Sequence, residues 1–212
     1  VIYDFDGTLA DSIAVVVAAT NAVLVAEGCA ALPAAEVVAG MVWPTGPRMG
    51  RHAGVQDPAR QRALAEAFYA HANRLGPGLA KCYPGIPEMS AAVRGRGLVQ
   101  GVVSNNQGAF VRRVLAALGL ARDFACAFGE EDMPAPKPDP RGLLMVAGII
   151  GVDPAHCVYV GDTHGDARTA AAAGMAAVGV TWGIHARAEL ADAPFAALID
   201  APAELPGLIG AG

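Results

Sequence analysis

No two cysteines in this chain stand at CxxC spacing, and no histidine falls at a zinc-ligand distance from one. A structural zinc site is therefore excluded. Cys29, Cys82, Cys126 and Cys157 are scattered singly, and a chain of 212 residues does not need disulfides to hold a core. Buried reduced thiols are expected. Charge is scarce too: Asp, Glu, Lys and Arg make up 17% of residues, 15 basic against 20 acidic, with no long run of either sign. That leaves no basic stripe for nucleic acid. Apolar runs are short, and residues 13–26, broken by Thr20 and Asn21, fall below the ~20 residues that span a bilayer. The opening residues read as a core strand rather than a signal peptide, and the initial valine suits a short preceding piece outside the numbering. A soluble, cytoplasmic protein is expected, and the sequence names no oligomeric state.

What is present is 54% hydrophobic residues and a set of strand ends rich in polar chemistry. Val1-Ile2-Tyr3 runs directly into Asp4-Phe5-Asp6-Gly7-Thr8. Side chains of an extended chain alternate faces, so Asp4 and Asp6 point the same way if the strand continues through them. Like charges so close need a cation, a shared proton or separate tasks. Gly7 permits a sharp turn, and Thr8 adds a hydroxyl in the loop beyond.

An isolated DxD pattern is usually a satisfied surface turn; later segments change that reading. Gly101-Val102-Val103-Ser104-Asn105-Asn106 is an apolar run ending in small hydrogen-bonding residues, which suit a phosphate as well as a turn or helix cap. In Pro134-Ala135-Pro136-Lys137-Pro138-Asp139-Pro140, alternate prolines stiffen the backbone around one lysine. An ammonium held in this way suits a nucleophilic carboxylate and a phosphate oxygen. Val158-Tyr159-Val160-Gly161-Asp162-Thr163-His164-Gly165-Asp166 repeats the N-terminal logic, an apolar strand followed by two carboxylates. Hard divalent ions such as Mg²⁺ prefer such oxygens. Residues 177–183 form a further strand ending in glycine, and His164 is assigned no role.

Strand-like runs at residues 1–5, 98–104, 124–128, 157–160 and 176–180 are mostly separated by helical patterns such as 107–118, 141–150 and 166–173. This alternation predicts an α/β fold, a doubly wound, Rossmann-like parallel sheet. Ligands of such sheets bind beyond the carboxyl ends of the strands, where all the polar residues above lie. Between the first strand and Pro84-Gly85 no convincing strand appears, while 13–26 and 58–75 read as helices. So long a connection is an inserted helical cap, residues 13–83, with 1–12 and 84–212 as the core. A cap of this kind can exclude water and add specificity contacts. Trp43, Arg48, Arg51 and His52 are its candidates for a substrate carboxylate or sugar; a solvated surface with one packed tryptophan is the competing reading.

Taken together, these segments resemble the phosphatase branch of the haloacid dehalogenase superfamily, whose motifs run in this order. The match uses Asp4 and Asp6, then Ser104, then Lys137, then Asp162 with Asp166, and extends from Val1 to about Gly183. The resemblance implies a helical cap after the first motif. It implies that Asp4 attacks phosphorus to form an aspartyl phosphate, while Asp6 protonates the leaving group and later activates water. Mg²⁺ would be held by an Asp4 oxygen, the Asp6 backbone carbonyl, Asp162 and a phosphate oxygen, with Asp166 orienting a metal-bound water. Lys137 and Ser104 complete the cradle, and Thr8 and Asn105 are further phosphate-binding candidates. Asp6 argues against the dehalogenases, because a halide leaving group needs no proton. Sugar-phosphate mutases retain both aspartates, but their fourth motif typically carries adjacent acids, whereas Asp162 stands between Gly161 and Thr163. A receiver module uses similar groups without so long an insertion. The implied partner is a small phosphorylated metabolite, and Gly174-Met175 with Thr181-Trp182-Gly183 look similar to phosphoglycolate phosphatases.

Overall fold

Ile2 and Tyr3 are wholly buried, because strands pair with them on both sides and helices cover both faces. The computed structural model describes residues 1–210. The first half contains β1 (Ile2–Tyr3), β2 (Ala10–Asp11), α1 (Ile13–Ala26), α2 (Ala34–Ala39), α3 (Thr45–Ala53), α4 (Pro58–Leu79), β3 (Lys81–Cys82) and α5 (Ile86–Gly95). Then come β4 (Gly101–Val103), α6 (Gly108–Ala117), β5 (Cys126–Phe128), α7 (Arg141–Ile150), β6 (Val158–Gly161), α8 (His164–Ala172), β7 (Ala176–Val180), β8 (Ala197–Ile199) and α9 (Leu205–Leu208).

Two compact units result: Val1–Asp11 together with everything from Lys81 onward, and Ser12–Ala80. The first unit holds a six-stranded sheet in the order β5-β4-β1-β6-β7-β8, with every pairing parallel. Ile2, Val103 and Tyr159 pack with Leu143 and Val146 of α7 and Ala170 of α8. Alternation sends the next residues to the opposite face, where Tyr3 meets Phe124 and Phe5 meets Phe110 of α6, both edge to face. The order reverses direction at β1, which puts the ends of β1, β4 and β6 side by side. This is the crevice in which a parallel sheet holds its ligand.

The second unit is helical, with α1 and α3 both packed on α4. Helix α4 runs to Leu79, past the Gly76-Pro77-Gly78 that reads as a stop. Pro77 removes one i→i−4 donor, but it sits in the last turn, with only Gly78 and Leu79 helical beyond it. Three short strands escape the sequence patterns. β2 and β3 form a two-residue antiparallel ribbon in the first unit, and β8 extends the sheet edge beside β7. All four cysteines are free; Cys157 is buried, but Cys29, Cys82 and Cys126 are only half-buried, so the expectation of buried thiols holds for one of them. Among the described residues, no helix is long and apolar enough to cross a membrane.

Candidate active site

Strand β1 stops at Tyr3, and the Asp4 N–H still donates to the Val160 carbonyl at 2.8 Å, which fixes Asp4 at the sheet end. The chain then turns: the N–H groups of Thr8, Leu9 and Ala10 all converge on the Phe5 carbonyl at 3.3, 3.0 and 3.0 Å. Extended alternation therefore does not continue from Asp4 to Asp6. Asp4 is 7% exposed, whereas Asp6 is half-buried and its Oδ2 accepts from Asn106 Nδ2 at 3.0 Å. Gly7 makes the turn with φ +81°, and a Cβ there would lie 2.2 Å from Asp162 Oδ2. Only glycine satisfies both demands.

Lys137 is the hub of the site. Its Nζ lies 2.7 Å from Asp4 Oδ1, 2.7 Å from Asp166 Oδ1 and 2.7 Å from the Tyr159 hydroxyl. An ammonium has three protons, and these three acceptors match them. The Tyr159 oxygen in turn lies 3.2 Å from the Val103 carbonyl and 3.1 Å from Asp166 Oδ1, two acceptors for its single proton. The backbone of Lys137 is fastened as well. Asn105 Oδ1 accepts from the Lys137 N–H at 2.7 Å, and Asn105 Nδ2 donates to the Lys137 carbonyl at 3.0 Å. The side chain of Asn105 is thus engaged in holding the lysine loop. Ser104, buried at the end of β4, accepts from the Asn106 N–H at 3.0 Å.

Asp162 and Asp166 follow β6. Asp166 closes a capping box at the start of α8: its N–H donates to Thr163 Oγ1 at 3.2 Å, and its Oδ2 accepts from the Thr163 N–H at 3.1 Å and hydroxyl at 2.6 Å. Asp162 is fully buried, with its Oδ2 accepting from the Ile184 N–H at 2.7 Å and its Oδ1 from Thr8 Oγ1 at 3.4 Å. Oxygens of Asp4, Asp162 and Asp166 all lie within 4.8 Å of one another. Three buried carboxylates thus face one lysine, an excess of negative charge that water cannot screen. Burial is the main cause that pushes the Asp4 carboxyl well above its usual range, with Asp166 and Asp162 adding to it and Lys137 opposing. Asp162 is pushed up to about 7, again chiefly by burial and then by Asp166, against the Ile184 N–H and Lys137. For Lys137, burial acts downward, but Asp166 and Asp4 outweigh it and hold the ammonium above its ordinary value. A proton or a hard cation relieves this imbalance, and a cluster of buried carboxylate oxygens has the donor chemistry for Mg²⁺.

Some participants carry no motif signal in the sequence. Tyr159 reads as one more core residue of an apolar strand, and the Ile184 contribution is a backbone N–H, invisible to any pattern. Thr163 does have a signal, since Thr-x-x-Asp before a helix is a capping box. His164 points elsewhere, with Nε2 3.0 Å from Asp192 Oδ1 and its ring edge-on to His185. In the helical unit, Arg48 is buried with its guanidinium 4.9 Å from the Phe68 ring centre. Arg51 stacks 4.1 Å over Trp43, and burial followed by the Arg48 charge lowers the His52 pKa. Arg48 is thus packed inside the unit, whereas Arg51 and Trp43 stack on each other at an exposed position.

Residues 1–180 match the haloacid dehalogenase-like hydrolase family over its model. The chain belongs to the haloacid dehalogenase-like hydrolases. A phosphoglycolate phosphatase of Pseudomonas putida is 33% identical over 98% of this chain and 78% of its own length. One from Xylella fastidiosa is 32% identical over 99% of this chain and 90% of its own length. The solved structure of a haloacid dehalogenase-like hydrolase from Bacteroides fragilis superimposes with a TM-score of 0.87 at 25% identity, covering 96% of this chain and 97% of that one. Family membership accounts for the doubly wound sheet with a helical insertion after the first strand.

Proposed function

We propose that this haloacid dehalogenase-like hydrolase is a Mg²⁺-dependent phosphatase of small phosphate monoesters, phosphoglycolate or a close analogue being the substrate to test first. The observation that carries the reading is the Lys137 ammonium lying 2.7 Å from both Asp4 and Asp166, with Asp162 in the same carboxylate cluster. The names of the two relatives from Pseudomonas putida and Xylella fastidiosa support the substrate class.

In this reading Asp4 is the nucleophile. One Asp4 oxygen is engaged by Lys137, which orients the carboxylate and offsets its charge; the other attacks phosphorus, the ester oxygen leaves, and an aspartyl phosphate forms. Asp6, set apart from the cluster and hydrogen-bonded to Asn106, delivers the proton to the departing oxygen. Water then attacks the phosphorus, Asp6 takes the water's proton, and Asp4 is released with inorganic phosphate. Asp4, Asp162 and the Asp6 carbonyl would hold Mg²⁺, with Asp166 orienting its water. When bound, the ion would neutralise the approaching phosphate and the carboxylate cluster. Ser104 and Thr8 supply hydroxyls for phosphate oxygens, and Asn105 acts through the Lys137 loop.

The test is a panel of phosphate monoesters with Mg²⁺, using Asp4→Asn as the blank. Metal-dependent phosphate release by the parent and almost none by the variant is the expected result; equal rates would remove Asp4 as nucleophile. For Asp6→Asn, the loss should shrink as the leaving group improves, and a uniform loss would contradict its role as acid.

A further inference from the structure

The loop after β7 reaches back to the site with three consecutive residues to which the sequence assigns no role in the chemistry. Trp182 Nε1 donates to the Thr8 carbonyl at 3.0 Å, and the Ile184 N–H donates to Asp162 Oδ2 at 2.7 Å. Gly183, between them, is pressed into the angle of the two. A Cβ on Gly183 would lie 2.4 Å from Asp162 Oδ2 and 2.4 Å from the Gly7 carbonyl. The tripeptide therefore touches both halves of the carboxylate site at once: the turn that follows Asp4 and the carboxylate that follows β6. Its start is anchored in turn, because the Thr181 N–H donates to the Ile199 carbonyl at 3.1 Å and the Thr181 hydroxyl to Asp200 Oδ1 at 2.6 Å.

These contacts also distinguish the two oxygens of Asp162. Oδ2 receives a backbone N–H and is enclosed by the Gly7 and Gly183 backbones. Oδ1 takes the longer approach of the Thr8 hydroxyl, at 3.4 Å. We infer that Trp182, Gly183 and Ile184 form a positioning strap for the cation: they pin Asp162 by Oδ2, present Oδ1 as the ligand, and hold the Asp4 turn at a fixed distance from it. The inference rests on the reading of the carboxylate cluster as a Mg²⁺ site. None of the three residues touches the reacting atoms; they act through Asp162 and the Asp4 turn.

The strap predicts a loss of metal affinity rather than of substrate affinity. Partners of this kind behind a metal ligand typically change affinity by ~10-fold to 100-fold, and Gly183→Ala should weaken Mn²⁺ binding within that range. Trp182→Phe, which keeps the bulk and removes the N–H, should weaken it about threefold, the scale of one hydrogen bond. Mn²⁺ binding is read from the signal of the free ion in electron paramagnetic resonance, without turnover. In parallel, the half-saturating Mg²⁺ concentration for ester hydrolysis should rise in both variants, while KM at saturating Mg²⁺ stays close to the parent's. Gly179→Ala serves as the control for general destabilisation, since its Cβ would strike Leu198 and Phe195 at 2.4 and 2.8 Å in the apolar layer. It should lower Tm without changing Mn²⁺ affinity. Parent-like Mn²⁺ affinity in both Gly183→Ala and Trp182→Phe overturns the strap, as does an equal loss in Gly179→Ala. Should the parent and Asp162→Asn bind Mn²⁺ equally, the cation site itself is wrong, a distinct failure that takes the strap with it.

Discussion

The Tyr159 hydroxyl stands 2.7 Å from Lys137 Nζ and accepts one of its three protons, while Asp4 and Asp166 take the other two. Tyr159→Phe keeps the ring in the core and removes only that acceptor. One ammonium proton is then left buried without a partner, which costs on the order of 1–3 kcal/mol. We expect a lower Tm and a fall of about tenfold in kcat with little change in KM, because the contact steadies Lys137 rather than the ester. Thermal melts with steady-state kinetics check both; an unchanged kcat would show that the lysine needs no third anchor.

Asn105 offers a cleaner separation of roles. Both ends of its amide are used on the Lys137 backbone, so Asn105→Ala should loosen the lysine loop and lower kcat. Inhibition by inorganic phosphate should change by less than about twofold, since the loss of a neutral hydrogen bond to the anion itself would be larger. A large rise in the phosphate inhibition constant, with kcat preserved, would instead make Asn105 a direct phosphate ligand.

Lys137→Met removes the positive charge that the three carboxylates share. Breaking a buried ion pair from one side typically costs ~3–5 kcal/mol, so the metal-free variant should be much less stable than the parent near neutral pH. Mg²⁺ should recover part of that stability without restoring activity, which we expect to fall by about 10²-fold or more. Activity within tenfold of the parent would contradict the place of Lys137 beside Asp4.

The pH dependence of metal-free stability follows from the same charges. Asp162 holds its proton up to about 7 when folded but only to about 3.8 when unfolded, so the folded state binds the extra proton between these values. Its contribution is fully present below pH 3.8 and is lost as pH rises through 7. Asp4 is shifted in the same direction, while the raised Lys137 gives no slope until far more alkaline pH. Exposed pairs such as Asp139 with Arg141 lower their carboxyl values and titrate below this window. In a chelator, stability should therefore drop by roughly 2–3 kcal/mol for Asp162 alone between pH 5 and 7.5. Mg²⁺ at pH 7.5 should restore it. Denaturant titrations at the two pH values, repeated on Asp162→Asn, check the sign; an equal slope in the variant would assign the effect to other groups.

The sheet was legible because parallel strands buried on both faces read as short apolar runs, and because each ended in polar residues. Val158 to Val160 followed by Asp162 shows both features in one stretch. The ribbon of β2 and β3 was not legible, since two residues per strand carry no period, and Lys81-Cys82 looks like any loop. At the site, the convergence of side chains is legible: Asp4, Lys137, Asp162 and Asp166 stand out by residue type and by their place after apolar runs. What escaped was the support beneath them. Tyr159 is ordinary for a buried strand, and its hydroxyl acquires meaning only where three loops bring the lysine above it. Backbone donors such as the Ile184 N–H have no identity in a sequence at all. The parity expected for Asp4 and Asp6 failed for a local reason, the turn in which three N–H groups share the Phe5 carbonyl.

The ribbon has a consequence for how such a chain can diversify. Asp11 and Lys81 are cross-strand partners, so the polypeptide leaves the sheet-bearing unit and re-enters it at adjacent points. The helical excursion is thus a loop closed by this two-residue ribbon, and the cost of such a closure grows only slowly with the length spliced between its ends. Adding or removing a helical turn within residues 12–80 therefore alters that closure cost little, and the Asp11–Lys81 pairing marks the two splice points.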